Sequence, residues 1–125
     1  MQSEEFGRAA LARFPDIWNV LTLDALEAWL QTQPSTARYN GWNDQACPVA
    51  RYLRDHYQLP AWQVSVHATG IGLGGAWLDD VPRDIARLVV DLSVRPKERL
   101  GPRSALRCVA AVRADGNVKT RTEAN

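Results

Sequence analysis

The segment from Trp62 to Ala68 constrains the fold more than any other part of the chain. Apolar and polar residues alternate along it, and this period of two is typical of a half-buried β-strand. A glycine-rich turn over 69–75 and the apolar triplet 76–78 follow, which predicts the returning strand of a hairpin. Because a lone hairpin is only marginally stable, helices must cover its apolar face. The sequence therefore predicts an α+β fold, with a short antiparallel β-hairpin or small sheet packed by three to four α-helices.

Apolar spacing and capping residues predict the helices around this hairpin. Helices are expected over 3–14, 23–31, 48–57 and 81–94. Thr22 and Asp80 are the expected N-caps of the second and fourth, and Pro48 suits the first turn of the third. These faces predict a core made of Leu26, Trp29, Leu30, Val49, Leu53, Val64, Val66, Ile85, Leu88 and Leu92.

The segment over 104–121 has two interpretations. One is a helix to about Arg113 followed by a polar tail, and the other is a strand pair, 108–114 and 117–121, that turns at Asp115-Gly116. The helix is favoured because Ser104 suits a capped helical start. The predicted organisation is a single globular domain over 1–113 and a polar basic C-terminal tail over 114–125.

Composition favours a globular protein of the cytoplasm. The 125 residues are 46% hydrophobic and 23% charged, which is ordinary globular usage and enough for one core. There is no run of about 18 uncharged apolar residues, and the acidic N-terminus is unlike a signal peptide. Cys47 and Cys108 are the two cysteines, and both are expected to stay reduced in the cytoplasm.

Charge is unevenly distributed along the chain. Residues 1–94 hold seven Lys/Arg and eleven Asp/Glu, net −4, whereas residues 95–125 hold eight and three, net +5. The basic end is a candidate contact for phosphate backbones, through Arg95, Lys97, Arg99, Arg103 and Arg107. No arginine-rich block or helix-turn-helix accompanies these residues, so a solvated face is favoured and nucleic-acid binding is an alternative.

Signals for enzymatic chemistry do not fit their context. The glycines over 70–75 match a dinucleotide fingerprint, but no helix follows directly to receive a pyrophosphate, so a flexible hairpin loop is favoured and no cofactor is expected.

Cys47 precedes Pro48 at a helix start, where backbone amides favour a thiolate, and His67 could serve as its base. A thiol enzyme is therefore a second alternative, although a small buried residue fits Cys47 better. The cysteines and histidines lack the close pairs of a zinc site, and Asp80, Asp84 and Asp91 suit helix capping and ion pairing.

The aromatic content favours protein binding. Five tryptophans are many for one core, and Trp is enriched at the centres of interfaces. The chain also lacks a recognisable catalytic constellation. We therefore expect a non-enzymatic protein-binding inhibitor or regulator, with a homodimer as the plainer alternative. The predicted partner-binding residues are Tyr39, Trp42, Ile71, Leu73 and Trp77.

The order of elements over 23–95 adds a resemblance. The helix 23–31, the segment 47–53 (CPVARYL), the strand 64–66 and the helix after Val81-Pro82 together resemble small uncharacterised bacterial and mobile-element proteins. This resemblance implies no activity and carries over no functional residue. In its general type, a compact single domain without catalytic signatures, the chain is also similar to phage-encoded inhibitors, including anti-CRISPR proteins. That similarity implies a host complex, such as a CRISPR effector, as the partner.

Overall fold

The computed structural model describes residues 13–95 and 100–124, with side chains described as far as residue 115. Five α-helices and one three-stranded antiparallel sheet make up the described regular structure, and the predicted α+β class is confirmed. The elements are α1 (Ile17–Val20), α2 (Leu23–Thr32), α3 (Pro48–Tyr57), β1 (Val64–His67), β2 (Gly70–Leu73), β3 (Ala76–Leu78), α4 (Arg83–Ser93) and α5 (Pro102–Ala124). Most of the predicted helix over 3–14 lies outside the described residues.

Two of the predicted helix starts are confirmed and one is wrong. The Thr22 hydroxyl accepts a hydrogen bond from the Ala25 N–H at 3.1 Å, and α3 begins at Pro48. The fourth predicted helix begins two residues later than expected, with Pro82 rather than Asp80 at its N-cap. The reason is steric, since a residue that precedes proline is pushed out of the helical region. Val81 therefore stays outside α4.

The C-terminal segment is a single helix, so the strand-pair interpretation is wrong. Its backbone continues past residue 113, through Gly116, to Ala124. One glycine costs a helix only about 1 kcal/mol relative to alanine, which does not end a helix of 23 residues. None of the described helices is both long and apolar enough to cross a membrane.

The sheet is a meander in the order β1-β2-β3. Its second turn is made by Gly74 and Gly75, which both have positive φ (56° and 87°), the requirement of the two-residue type I′ hairpin turn. The segment predicted as a flexible glycine loop thus contains the central strand of the sheet. Ser65, Gly72 and Trp77 form one row across the three strands.

One face of the sheet belongs to the core. Helices α3 and α4 pack against β1, and α5 packs against α2 and α4. All the predicted core residues are buried except Trp29, which is half-buried with its indole N–H donating to Asp55 at 3.1 Å. The helices therefore define the inner face of the sheet, and the outer face carries the candidate site.

Candidate functional site on the outer face of the sheet

The outer face of the sheet has side chains only on its flanking strands. Strand β1 presents Ser65 and His67, and β3 presents Trp77. Between them, β2 presents Gly70 and Gly72. A glycine within a strand often marks a place where another group approaches the backbone closely.

Trp77 uses the space that these glycines leave. Its indole ring lies where a Cβ atom of Gly70 would stand, and it passes 3.8 Å from the corresponding position at Gly72. The ring also packs against the His67 imidazole, with centroids 5.7 Å apart. The central strand thus forms a backbone floor that the indole covers at Gly70 and that the Ser65 hydroxyl borders at Gly72, where Oγ lies 2.7 Å from the Cβ position.

A groove of about 470 Å³ opens over this floor between Trp62 and Trp77. Trp62 is 72% exposed because it lies in a short 3₁₀ turn, Ala61–Gln63, that precedes β1. The polar groups in the groove are the Gln63 amide and the Ser65 hydroxyl, and its lining carries no formal charge among the described residues. The full lining is Trp62, Gln63, Ser65, Gly72, Gly75, Ala76 and Trp77.

The loop over 40–46 covers the free edge of β1. The Val66 N–H donates to the Asp44 carbonyl at 2.8 Å, and the Asp44 carboxylate lies 3.3 Å from His67 Nε2. Gly41 packs against the Leu92 carbonyl at the end of α4, and the next residue, Trp42, is 79% exposed. Trp42 is therefore an exposed aromatic outside the groove lining.

The predicted partner-binding set divides into buried and accessible residues. Ile71 and Leu73 are fully buried, because the alternation of β2 turns them into the core. Tyr39 is only 3% exposed, since its N–H bonds the Leu100 carbonyl and its ring packs near Trp29. Placing these three residues on a binding surface was wrong. Trp42 and Trp77 remain accessible to a partner.

Sequence reasoning missed Trp62 as a site residue. The alternating pattern of 62–68 places it on the same face as Val64 and Val66, which are both buried. The 3₁₀ turn removes it from that alternation, and the available signal was Pro60, a residue that favours turns directly before it.

Cys47 is buried at the start of α3, as the structural interpretation predicted. It is 2% exposed, and burial raises its pKa to about 11, outweighing the lowering effect of the Ala50 and Val49 amides. A thiol in this state is almost wholly protonated at neutral pH and is a poor nucleophile. Among the described residues, no group of three His, Cys, Asp or Glu side chains could hold a metal ion.

Three of the five predicted nucleic-acid-binding residues lie in the part of the chain that the structure describes. Arg95, Arg103 and Arg107 are exposed, with the last two one turn apart on α5, whereas Lys97 and Arg99 lie outside the described residues. A groove of about 570 Å³ at the start of α5 is lined in part by Arg38 and Arg103. Arg113 is not part of this surface, because it bonds to acids of α2.

No protein-family model matches this chain, and no curated protein or solved structure is significantly similar to it. The resemblance to small bacterial and mobile-element proteins therefore stays a prediction. The fold and the site define a small α+β domain whose three-stranded sheet carries an uncharged groove between two tryptophans.

Proposed function

We propose that the protein is a non-enzymatic protein-binding module that acts in the cytoplasm as an inhibitor or regulator of a larger complex, and that it binds through the groove between Trp62 and Trp77. The observation that carries this proposal is the exposure of Trp62, at 72%, beside a groove that Trp77 also lines. A single exposed apolar residue needs no explanation, but contiguous exposed apolar surface marks interaction sites, and Trp62 and Trp77 line one groove. Tryptophan is also the residue type most enriched among binding hot spots.

The chemistry of the groove supports binding rather than catalysis. Its lining contains an amide and a hydroxyl but no titratable side chain, whereas an active site needs convergent acids, bases or nucleophiles. The nearest acid-base pair, Asp44 and His67, lies at the edge of β1, where it ties the 40–46 loop to the sheet. The thiol-enzyme alternative is weakened by the burial of Cys47.

The choice of a larger complex as the partner rests only on the similarity in general type between this chain and phage-encoded inhibitors. Phage-encoded inhibitors such as anti-CRISPR proteins are small domains of this type, so a nucleic-acid-handling complex such as a CRISPR effector is the partner that we propose to test first. Binding by one small surface is sufficient for inhibition if it blocks a moving part or a substrate channel of a larger assembly.

A pull-down with matched tryptophan variants tests the proposal. Tagged wild type, Trp62→Ala, Trp77→Ala and Trp42→Ala are used to capture partners from a lysate of the source organism and from purified CRISPR effectors. Loss of a hot-spot tryptophan is expected to weaken capture by roughly 30-fold or more, which corresponds to about 2 kcal/mol. Trp42→Ala serves as the control, because Trp42 is equally exposed but lies outside the groove.

The variants also identify how the proposal would fail. If folded Trp62→Ala and Trp77→Ala retrieve the same partner as wild type, the groove is not the binding surface. If Trp42→Ala alone loses the partner, the 40–46 loop rather than the groove is the binding surface. Retrieval of no specific protein by wild type, in lysate or with the purified effectors, contradicts the protein-binding function.

Nucleic-acid binding is retained as a second candidate because two exposed arginines, Arg103 and Arg107, lie on one face of α5. Duplex and single-stranded oligonucleotides are titrated by fluorescence anisotropy at about 50 and 200 mM salt, because phosphate contacts weaken steeply over this range. Arg103→Gln/Arg107→Gln is expected to reduce both the affinity and the salt dependence. No binding at the lower salt concentration eliminates this candidate.

A further inference from the structure

We infer that the groove between Trp62 and Trp77 receives a proline-rich segment of the partner protein in the polyproline II conformation. This inference rests on the proposed function and specifies the chemistry of the ligand at the same site. It depends on three features of the described residues: two indole side chains, a lining without formal charge, and side-chain hydrogen-bond donors that are not engaged elsewhere.

The lining of the groove favours an uncharged segment. None of the described residues that line it is an acid or a base. The guanidinium of Arg13 lies outside the lining, at the Gly74 turn, where it donates to the Gly74 carbonyl. A charge of either sign would lose hydration in the groove without gaining an ion-pair partner from the lining, so charge complementarity selects a segment that carries no charge there.

The hydrogen-bonding groups of the groove suit a backbone that only accepts. The Gln63 amide and the Ser65 hydroxyl line the groove, and the Trp62 indole adds an N–H. None of these three side chains makes a hydrogen bond with another described residue. A proline has a carbonyl but no N–H, so a proline-rich backbone can accept from these donors and brings no donor of its own that needs a partner.

The indoles suit the shape and the stiffness of proline. Folded domains bind proline-rich segments in aromatic-lined grooves, because the polyproline II helix is formed before binding and loses little conformational entropy. This low cost matters here, since a groove of about 470 Å³ offers few contacts to offset the ordering of a flexible chain. The exposed Trp62 ring and the Trp77 ring that lies against Gly70 both give proline rings an apolar surface.

A pair of blocked hexapeptides tests this inference. One is hexaproline, and the other alternates alanine and glycine, which keeps the length and the absence of charge but makes the chain flexible. Binding is followed by NMR through the indole N–H resonances of the five tryptophans. Hexaproline is expected to shift the Trp62 and Trp77 resonances selectively, with a dissociation constant of about 0.1 to 1 mM, and the control peptide is expected to bind at least about fivefold more weakly. Raising the salt concentration from about 50 to 500 mM should change the hexaproline constant less than about twofold, because no ion pair forms.

Variants of the lining separate the donors from the indoles. Trp62→Ala is expected to weaken hexaproline binding about tenfold or more, and Gln63→Ala/Ser65→Ala roughly threefold to tenfold. The matched control is Gln31→Ala/Ser35→Ala, which removes an exposed amide and an exposed hydroxyl outside this groove and should leave the constant unchanged. Circular dichroism verifies that all variants are folded.

The possible results distinguish this inference from the proposed function. Equal binding of both peptides, shifts confined to Trp42, or no shift at all would overturn proline recognition. Shifts of Trp62 and Trp77 that depend on protein concentration without any peptide would overturn it as well, because they would identify a second copy of the chain as the occupant.

Comparison with the pull-down separates the two failures. If a partner is still lost on Trp62→Ala or Trp77→Ala while hexaproline does not bind, the protein-binding function stands and only this inference fails. If hexaproline binds the groove but no partner depends on either tryptophan, the groove has its ligand preference without the proposed function.

Discussion

The indole ring of Trp77 occupies the space that a Cβ atom on Gly70 would need. The two residues lie on adjacent strands, and the ring crosses the backbone of β2 on the outer face of the sheet. Gly70 is consequently part of the site although it has no side chain to offer. Because Gly70 has no side chain, the Trp77 ring can lie against the backbone of β2, where it forms one wall of the groove.

Gly70→Ala is expected to lower the free energy of unfolding by roughly 1 to 3 kcal/mol, because the added methyl group meets the ring and forces Trp77 or the strand to move. Chemical denaturation measures this change. In a Trp77→Ala background the same substitution should cost less than about 1 kcal/mol, as in a double-mutant cycle for residues in contact. An equal cost in both backgrounds would contradict the proposed steric role of the ring.

Tyr39 and Tyr52 offer a matched pair of buried hydroxyl groups. The Tyr39 hydroxyl is buried and has no hydrogen-bond partner among the described residues, whereas the Tyr52 hydroxyl donates to the Val20 carbonyl at 2.7 Å. Tyr39→Phe is expected to be neutral or stabilising, because it removes an unsatisfied polar group. Tyr52→Phe should cost about 1 kcal/mol, because it deprives a carbonyl of its donor. Thermal and urea unfolding compare the two, and a larger loss for Tyr39→Phe would refute this assignment.

Arg113 links α5 to α2 through both Asp24 and Glu27. Arg113→Gln is expected to lower the free energy of unfolding by about 1 kcal/mol, since two partly exposed ion pairs on one guanidinium are lost. Arg107→Gln, an exposed change on the same helix, should cost less than about 0.5 kcal/mol. The difference between the two variants should shrink at high salt because the pairs are partly solvated. A difference independent of salt would indicate packing rather than charge.

The buried thiol of Cys47 predicts slow chemistry at neutral pH. Burial raises its pKa from about 9.0 to about 11, so few molecules carry the thiolate that reacts with iodoacetamide. Alkylation of the folded protein near pH 8 should be much slower than that of the unfolded chain. Rapid labelling of Cys47 in the folded state would restore the thiol-enzyme alternative.

The same pKa shift predicts a loss of stability in alkali. Because the folded pKa lies above the unfolded one, the contribution of the neutral thiol is complete below about pH 9 and is lost as pH rises toward 11. The loss should amount to about 1 to 3 kcal/mol. Comparing wild type with Cys47→Ala between pH 8 and about pH 10 isolates it, because both proteins carry Tyr39, Tyr52 and Tyr57, whose pKa values burial also raises above 10.0. Identical pH dependence in the two proteins would exclude Cys47 as its source.

The sequence predicts the elements that have local signals of their own. Thr22 caps α2, Pro48 opens α3, and the apolar stripe of α4 is buried as its spacing indicates. These features depend on neighbours within one helical turn, so they can be read without knowledge of the tertiary structure. The ion pair of α4 was predictable for the same reason, since Arg87 and Asp91 are four residues apart and Arg87 Nε lies 3.8 Å from Asp91 Oδ1.

The site could not be predicted because its parts depend on contacts between strands. Gly70 and Gly72 indicate a flexible loop on local propensity, yet they belong to a strand because β2 pairs with both β1 and β3. Trp62 fits the strand pattern, and only the 3₁₀ turn places it in solvent. Burial of Tyr39 depends on Leu100, which is 61 residues away along the chain.

Residues of β2 and residues in the connections around the sheet differ in how freely they can be substituted. The inner residues of β2, Ile71 and Leu73, are fixed by the core, whereas on the outer face Gly70 is fixed by the Trp77 ring and Gly72 by the Ser65 hydroxyl. Trp62 and the pair Asp79 and Asp80 lie in connections outside the strands, where substitution costs little stability. Under the proposed binding function, substitution of Trp62 would therefore change one wall of the groove while the sheet keeps its packing.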